Sequence, residues 1–517
     1  MQVALPAGTD PQQVLEALFG YQTFRPGQRE IIDAVLTGRD CIGLMPTGAG
    51  KSLTFQIPAK LLGGTVLVVS PLISLMKDQV DALERLGFRA ALFNSTLDET
   101  ERSLCLRQLH RGELELLYVA PEALRQGLRS FIADCPIRLV VVDEAHCISH
   151  WGHDFRPAYR QLRDLKGQLG DIPVLALTAT ATRRVALDIV RSLGMRKPAG
   201  YKGSFYRPNL RIIAQKKGSG RNTRKDILAI TRSHPKESGI VYCATRRDVD
   251  STTEWLCAQG LRAKPYHAGL DEQTRAHNQD AFARDEVDVV VATVAFGMGI
   301  DKSNVRFVVH RDMPRSIEAW YQEIGRAGRD GLPSDCVAFY SWVDVLNYDR
   351  FLDEIEDREL RAETRARTVG LFNLLERSGC RHQALVGYFD ETVSRCAASC
   401  DACLGVTLDS VFARTVRTPR REAEPSWHTP SWKTTDSSAG GNSDTDGDPE
   451  LFDRLRALRR RIADAENVPA YIVFSDAVLR QMARRVPKNE RDLLAIPGIG
   501  PAKLVRYGER FLDLLRS

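Results

Sequence analysis

The sequence predicts an α/β protein: two parallel-sheet lobes, then a helical segment ending in clustered cysteines, then a small all-α domain. Three observations predict it. Short β-branched runs alternate with helical patterns from about Phe24 to Tyr340; the runs then stop and helical periodicity leads to Cys403. A chain of 517 residues also exceeds what one core organises, since domains usually take ~100 to 200 residues. The expected divisions are 1–203 and 204–342 for the lobes, 343–405 for a helical hairpin and cysteine subdomain, 406–449 for a flexible linker and 450–517 for the terminal domain.

The first lobe is read from TVLVVS, LELLYVA, LVVVDE and PVLALTAT, the second from GIVYC, VDVVVAT, RFVVH and CVAFY. Continuous apolar runs separated by helices are what parallel sheets covered on both faces require. GSFYRPN, Gly203 to Asn209, reads as the connection between lobes.

MPTGAGKSL, Met45 to Leu53, follows the apolar CIGL and precedes a helical pattern. That context suits a phosphate loop, in which Thr47, Gly48 and Gly50 leave backbone N–H groups open to phosphates, Lys51 adds charge and Ser52 offers a hydroxyl to Mg²⁺. Met45 replaces the first glycine of the strict pattern. Asp143, ending the run LVVV, is placed to hold Mg²⁺ through water, and Glu144 to orient and deprotonate an attacking water. QEIGRAGRDG sets Arg326 and Arg329 three apart, so both face one side of a helix and suit charge developing on a γ-phosphate. A nucleoside triphosphate is therefore expected.

Together, FGYQTFRPGQ, MPTGAGKS, VVSPLISLMKDQ, DEAHCISHWGHDFRP, LTATAT, YHAGL, VATVAFGMGIDK and YQEIGRAGRDG resemble the RecQ family of superfamily 2 DNA helicases. The resemblance runs from about residue 14 to 405 and is carried most specifically by FRPGQ and HWGHDFRP. It implies RecA-like lobes, ATP as the nucleotide, adenine recognition by Tyr21, Arg25 and Gln28, hydrolytic roles for Lys51, Ser52, Asp143, Glu144 and Arg329, and a phosphate contact by Arg326. It further implies 3′-to-5′ translocation on single-stranded DNA, with tailed or branched duplexes as substrates in repair or recombination. Trp151, His153, Phe155 and Arg156 would then form a DNA-sensing loop just after Glu144, where flat rings stack on bases at ~1 to 3 kcal/mol each. Ser70, Pro71 and Thr293 to Gly299, Gly297 among them, are the other expected track contacts, with Thr178 and Thr180 as links. A translocase with weak unwinding and an RNA helicase are the alternatives.

Cys380, Cys396, Cys400 and Cys403 can close a tetrahedral Zn²⁺ site, as in the family's zinc domain, although the middle spacing is three residues instead of the commoner two. His382 is a possible substitute ligand. The family usually continues into a winged helix; Leu404 to Pro449 is too short and polar for one, so its absence is expected. The stretch Thr415 to Pro449, rich in Ser, Thr, Pro, Gly and Asp, reads as linker. Its Trp427 and Trp432, like the terminal domain, are candidate protein-partner contacts.

The terminal domain resembles the helicase-and-RNase-D C-terminal (HRDC) domain, most specifically in ERDLLAIPGIGPAKLVRYGERFL. The net charge of +6 resides there: Leu451 to Ser517 holds 14 Lys and Arg against 8 Asp and Glu. Its glycine turn and Arg459, Arg460, Arg461, Arg484 and Arg485 suit auxiliary DNA binding; a docking surface is the alternative. With no export signal and no apolar run near the ~18 to 20 residues that span a bilayer, a cytoplasmic protein with reduced thiols and no membrane partner is expected, nucleoid-associated if bacterial.

Overall fold

A computed structural model describes residues 8–71, 73–94, 97–124, 131–149, 156–163, 166–167, 170–218, 220–297, 302–353, 356–412, 448–466 and 468–516. The first sheet has seven parallel strands: β1 (Cys41–Leu44), β2 (Thr65–Val69), β3 (Ala90–Phe93), β4 (Leu116–Val119), β5 (Ile137–Val142), β6 (Val174–Thr178) and β7 (Ala199–Lys202). Their spatial order is β3-β4-β2-β5-β6-β1-β7. Every residue of β1, β2, β4 and β6 is buried. These strands are sandwiched between helices, which is why they read as unbroken apolar runs.

The second sheet has β8 (Leu210–Lys216), β9 (Ser238–Tyr242), β10 (Ala263–Tyr266), β11 (Val289–Ala292), β12 (Val305–His310) and β13 (Ser334–Tyr340), ordered β10-β11-β9-β12-β13-β8 and again parallel. Near the start of β9, His234 is held by two carboxylates, with Nδ1 2.7 Å from Glu237 and Nε2 3.1 Å from Asp335. Burial would lower its pKa; bonds to Asp335 and Glu237 overcome this and push it up to about 9. A group bound more tightly to its proton when folded stabilises fully below its unfolded pKa of ~6.5. That contribution is expected to fade as pH rises from there through about 9, and a His234→Gln chain, followed by denaturant unfolding against pH, to lose this slope.

Beyond β13 the chain is helical, through Trp342–Leu352, Arg358–Glu376 and Arg381–Tyr388. The cysteine segment then returns to cover the open edge of the second sheet. Ile212 N–H of β8 donates to Ser399 O at 3.0 Å and Ala214 N–H to Asp401 Oδ2 at 3.0 Å, satisfying edge groups that would otherwise invite strand pairing. The same subdomain grips the interlobe connection: Glu391 accepts from the Ser204 hydroxyl at 2.5 Å and the Phe205 N–H at 2.6 Å, while Phe389 stacks on Phe205 at 4.5 Å.

Part of the stretch expected as linker, 406–449, is folded. Leu408–Phe412 is a helix, with Leu408 and Phe412 buried against the second lobe and Asp409 paired to Arg221 at 2.7 Å; two apolar anchors and one ion pair outweigh the polar flanks. Trp427 and Trp432 lie outside the described residues. The terminal domain comprises Pro449–Ala465, Ala470–Val473, Asp476–Arg485, Glu490–Leu494 and Pro501–Arg516 around Leu455, Leu479, Met482 and Phe511. Arg459 is not a surface charge. It is fully buried, donating to Phe474 O at 2.9 Å and Asp476 Oδ1 at 2.7 Å.

Candidate nucleotide site and DNA-facing residues

Three strand ends build the site. The phosphate loop leaves β1, Thr178 ends β6 and Asp143 follows β5, and these strands are neighbours in the order β5-β6-β1. Lys51 Nζ consequently lies 3.5 Å from Glu144 Oε1. Glu144 has φ 46°, in the left-handed region, which costs a non-glycine residue ~1 to 2 kcal/mol and persists where the surroundings enforce it. The Asp143 carboxylate accepts from the Glu144 N–H at 3.0 Å, and its carbonyl from the Tyr159 hydroxyl at 2.9 Å. Burial and then the Glu144 charge push the Asp143 carboxyl up to about 6, with Lys51 opposing. Two acids beside a hydroxyl, Ser52, form a hard-oxygen set suited to a divalent cation.

The second lobe closes the site. Arg326 and Arg329 line the same cavity of about 680 Å³ as Lys51, Ser52, Asp143 and Glu144. The lobes approach so closely that a Cβ on Gly325 would lie 2.3 Å from Thr47 Oγ1. Sequence reasoning missed the residue that joins them: Arg207 donates to Thr47 O at 2.8 Å in one lobe, and to Ala327 O at 3.0 Å and Gly328 O at 2.8 Å in the other. The only signal was a single arginine in the expected connection. Gln322 Nε2 also donates to Thr180 Oγ1 at 3.1 Å. Thr178 meets both the Thr180 backbone and His146 Nδ1, the latter at 2.9 Å, and His146 Nδ1 is 3.3 Å from Glu144 Oε2. A polar chain thus runs from the second lobe to Glu144.

Of the expected adenine contacts, Tyr21 stands at the cavity and is 39% exposed. Gln28 already has partners. Its Oε1 accepts from Arg25 N–H at 2.8 Å, its Nε2 donates to Ala49 O at 3.2 Å and Gly50 O at 3.0 Å, and Arg25 Nη1 bonds Gly48 O. Both residues therefore brace the phosphate loop while lining the same cavity as Tyr21.

The chain is 37% identical to the ATP-dependent DNA helicase RecQ of Pasteurella multocida, over 99% of this chain and 94% of that protein. It belongs to the RecQ family. Bacillus subtilis RecQ is 36% identical across 98% of both chains. The alignment with the Pasteurella protein spans 600 positions, more than the 517 residues of this chain, so that relative carries segments this chain lacks. Family models match as DEAD/DEAH box helicase at 25–189, helicase conserved C-terminal domain at 222–331, RecQ zinc-binding at 342–404 and HRDC domain at 448–515. In fold, the lobes are similar to Mycobacterium smegmatis helicase Lhr, at TM-score 0.51 and 22% identity over 65% of this chain and 48% of that one. The helicase MrfA gives TM-score 0.51 and 17% identity over 65% and 52%. Both helicase halves and the zinc and HRDC domains of the family are therefore present.

The zinc-binding segment brings the sulfurs of Cys380, Cys396, Cys400 and Cys403 within 4.8 Å of one another. A Zn–S bond of ~2.3 Å in a tetrahedron sets sulfurs about 3.8 Å apart, so the four cysteines fit Zn²⁺. All eleven cysteines are free thiols. His382 is not a ligand: its Nε2 meets Leu210 O at 3.1 Å and Ser399 O at 3.0 Å, fixing the segment to β8.

Of the expected DNA contacts, Trp151, His153 and Phe155 lie outside the described residues. Arg156 Nη1 donates to Pro71 O at 3.0 Å, which ties the end of that loop to the turn after β2. Ser70 is buried at 1% exposure. Gly297 is also buried; a Cβ there would lie 3.0 Å from Arg326 Nη2, on the nucleotide side of the cleft. Neither is a surface contact in this arrangement. Thr293, half-buried just after β11, keeps a partly open position. No described helix is long and apolar enough to cross a membrane.

Proposed function

We propose that this RecQ protein couples ATP hydrolysis to 3′-to-5′ movement on single-stranded DNA and unwinds tailed or branched duplexes. The observation that carries this reading is the single cavity where Lys51 and Glu144 of one lobe face Arg326 and Arg329 of the other. Lys51 and Glu144 pair across the site at 3.5 Å. Phosphates entering the loop would take Lys51 as partner and release the Glu144 carboxylate to orient and deprotonate water. Mg²⁺, held by Ser52 and by Asp143 through water, would neutralise the phosphate charge. Arg329 completes the γ-phosphate environment only while the lobes are closed, with Arg326 as a further phosphate contact. Hydrolysis removes the anion bridging them, and repeated closure and opening advances the grip on the strand.

The polar chain through His146, Thr178, Thr180 and Gln322 gives the reading a coupling route. The Arg156–Pro71 bond joins the proposed sensor loop, Trp151 to Arg156, to the turn that follows Ser70. DNA displacing that loop would reach Glu144 within a few residues of chain.

The test is strand displacement on duplexes with either a 3′ or a 5′ single-stranded tail, with Lys51→Ala as control. Unwinding from the 3′ tail alone, lost in Lys51→Ala with a drop in ATPase of about 10²-fold or more, is expected. Unwinding from the 5′ tail alone would refute the polarity. ATPase stimulated equally by RNA, or translocation without strand separation, would favour the alternative motors.

A further inference from the structure

The nucleotide cavity has a third wall. Besides the two lobes it is lined by the terminal domain, through Tyr471, Ser475, Val478, Pro497, Gly498 and Lys503. The glycine turn expected to meet DNA is turned inward here. Gly498 N–H donates to Gly20 O at 3.4 Å, and Gly500 sits so close to Gly20 that a Cβ on Gly500 would lie 2.9 Å from Gly20 N. A Cβ on Gly20, at φ +72°, would lie 2.2 Å from Gly500 N. Gly20 immediately precedes Tyr21, and a Cβ on Gly498 would touch the Tyr21 ring at 3.9 Å. The domain is also anchored on the second lobe, where Arg460 donates to Asp285 O at 3.3 Å and buried Arg459 stands 3.6 Å from the Asp285 carboxylate. It therefore spans both halves of the motor across the mouth of the site.

Lys503 brings a cation into that cavity. Its amine stands 5.6 Å from the Phe474 ring and has no carboxylate partner among the described residues. Enclosure lowers its pKa to about 8, with no opposing ion pair. A partly buried ammonium with no carboxylate beside it favours an anion in the same cavity, and on the ATP-driven reading that anion is a nucleotide polyphosphate.

We propose that the terminal domain forms part of the nucleotide site and that Lys503 binds the polyphosphate of the bound nucleotide. This rests on the ATP-driven reading above. Tyr21, Lys51 and Lys503 then enclose the nucleotide from two domains, and nucleotide affinity reports whether the terminal domain is docked.

Calorimetric titration of the full chain with ADP and with adenosine separates the outcomes. Lys503→Met is expected to weaken ADP about tenfold, as for loss of one charge-assisted hydrogen bond, and to leave adenosine unchanged; Lys503→Arg restores ADP. Gly500→Val adds a side chain whose Cβ would run first into the Gly20 and Phe19 backbone of the first lobe, so the domain is expected not to seat, with circular dichroism of the variant checking that it stays folded. It should weaken ADP to the same degree, with Lys503→Met adding nothing further in the double variant. ADP affinity unchanged in both single variants overturns the proposal while leaving the ATPase reading intact. Equal weakening of adenosine by Lys503→Met overturns the phosphate contact. Absence of ADP binding by the unmodified chain defeats the ATPase reading itself.

Discussion

Replacing Arg329 by alanine is expected to lower DNA-stimulated kcat for ATP by about 10³-fold, near 4 kcal/mol of barrier, with ADP binding retained. The residue stands where a Cβ on Gly48 would meet its Cα at 3.5 Å, so the second lobe brings Arg329 directly beside the phosphate loop and into the same cavity. Charge that develops in transfer would be stabilised there by a cation already held in place, which is worth more than one free in solvent. Lysine should not rescue, because a compact ammonium on a flexible stem does not reproduce the planar fork. Steady-state ATPase at saturating oligonucleotide measures it. A kcat within tenfold of the unmodified chain would remove Arg329 from the hydrolytic site.

Removing zinc should have the largest effect on stability. Structural Zn²⁺ contributes on the order of 10 kcal/mol to small metal-folded units, and Cys400, fully buried, also bridges to Ile212 on β8. Metal-free protein, or Cys400→Ser, is expected to melt roughly 10 °C or more below the holoprotein. Duplex unwinding should fall more than basal ATPase, since what loosens first is the grip of Glu391 and Phe389 on Ser204 and Phe205 between the lobes. A chromophoric chelator counting the released metal, alongside calorimetry, tests this. Unchanged melting after quantitative release would make the cysteines incidental.

Much of this was legible in the linear chain, and what was not follows a pattern. The nine strands readable as apolar runs are the nine interior strands; the four that escaped, β3, β7, β8 and β10, are the four sheet edges. An edge strand has one paired side and a partly wet face, so it tolerates Lys, Arg and Gln, as in AGYK and LRIIAQK, and its hydrophobic period dissolves. The catalytic motifs were legible because they are local. A glycine turn, a lysine and a pair of acids must each sit within a few residues to build their part of the site.

Charge was the weakest guide. Arg459 counted toward a DNA footprint in sequence, yet it is buried between Asp476 and Asp285. Gln28 suited a base edge, yet its amide also bonds the phosphate loop. Arg207 carried no motif, yet it bonds both lobes. A side chain's partner depends on what distant segments bring to it, and neighbours in sequence do not record that.

By itself the sequence determined the family, the two-lobed α/β motor and the clustered cysteines, because each is encoded in short-range spacing and in which strands can be buried on both faces. Only the tertiary structure decided that the terminal domain faces the nucleotide cavity, that Arg207 spans the cleft and that the zinc segment covers an open strand edge. These are contacts between segments tens to hundreds of residues apart, set by shape and close backbone approach, and no local pattern specifies them.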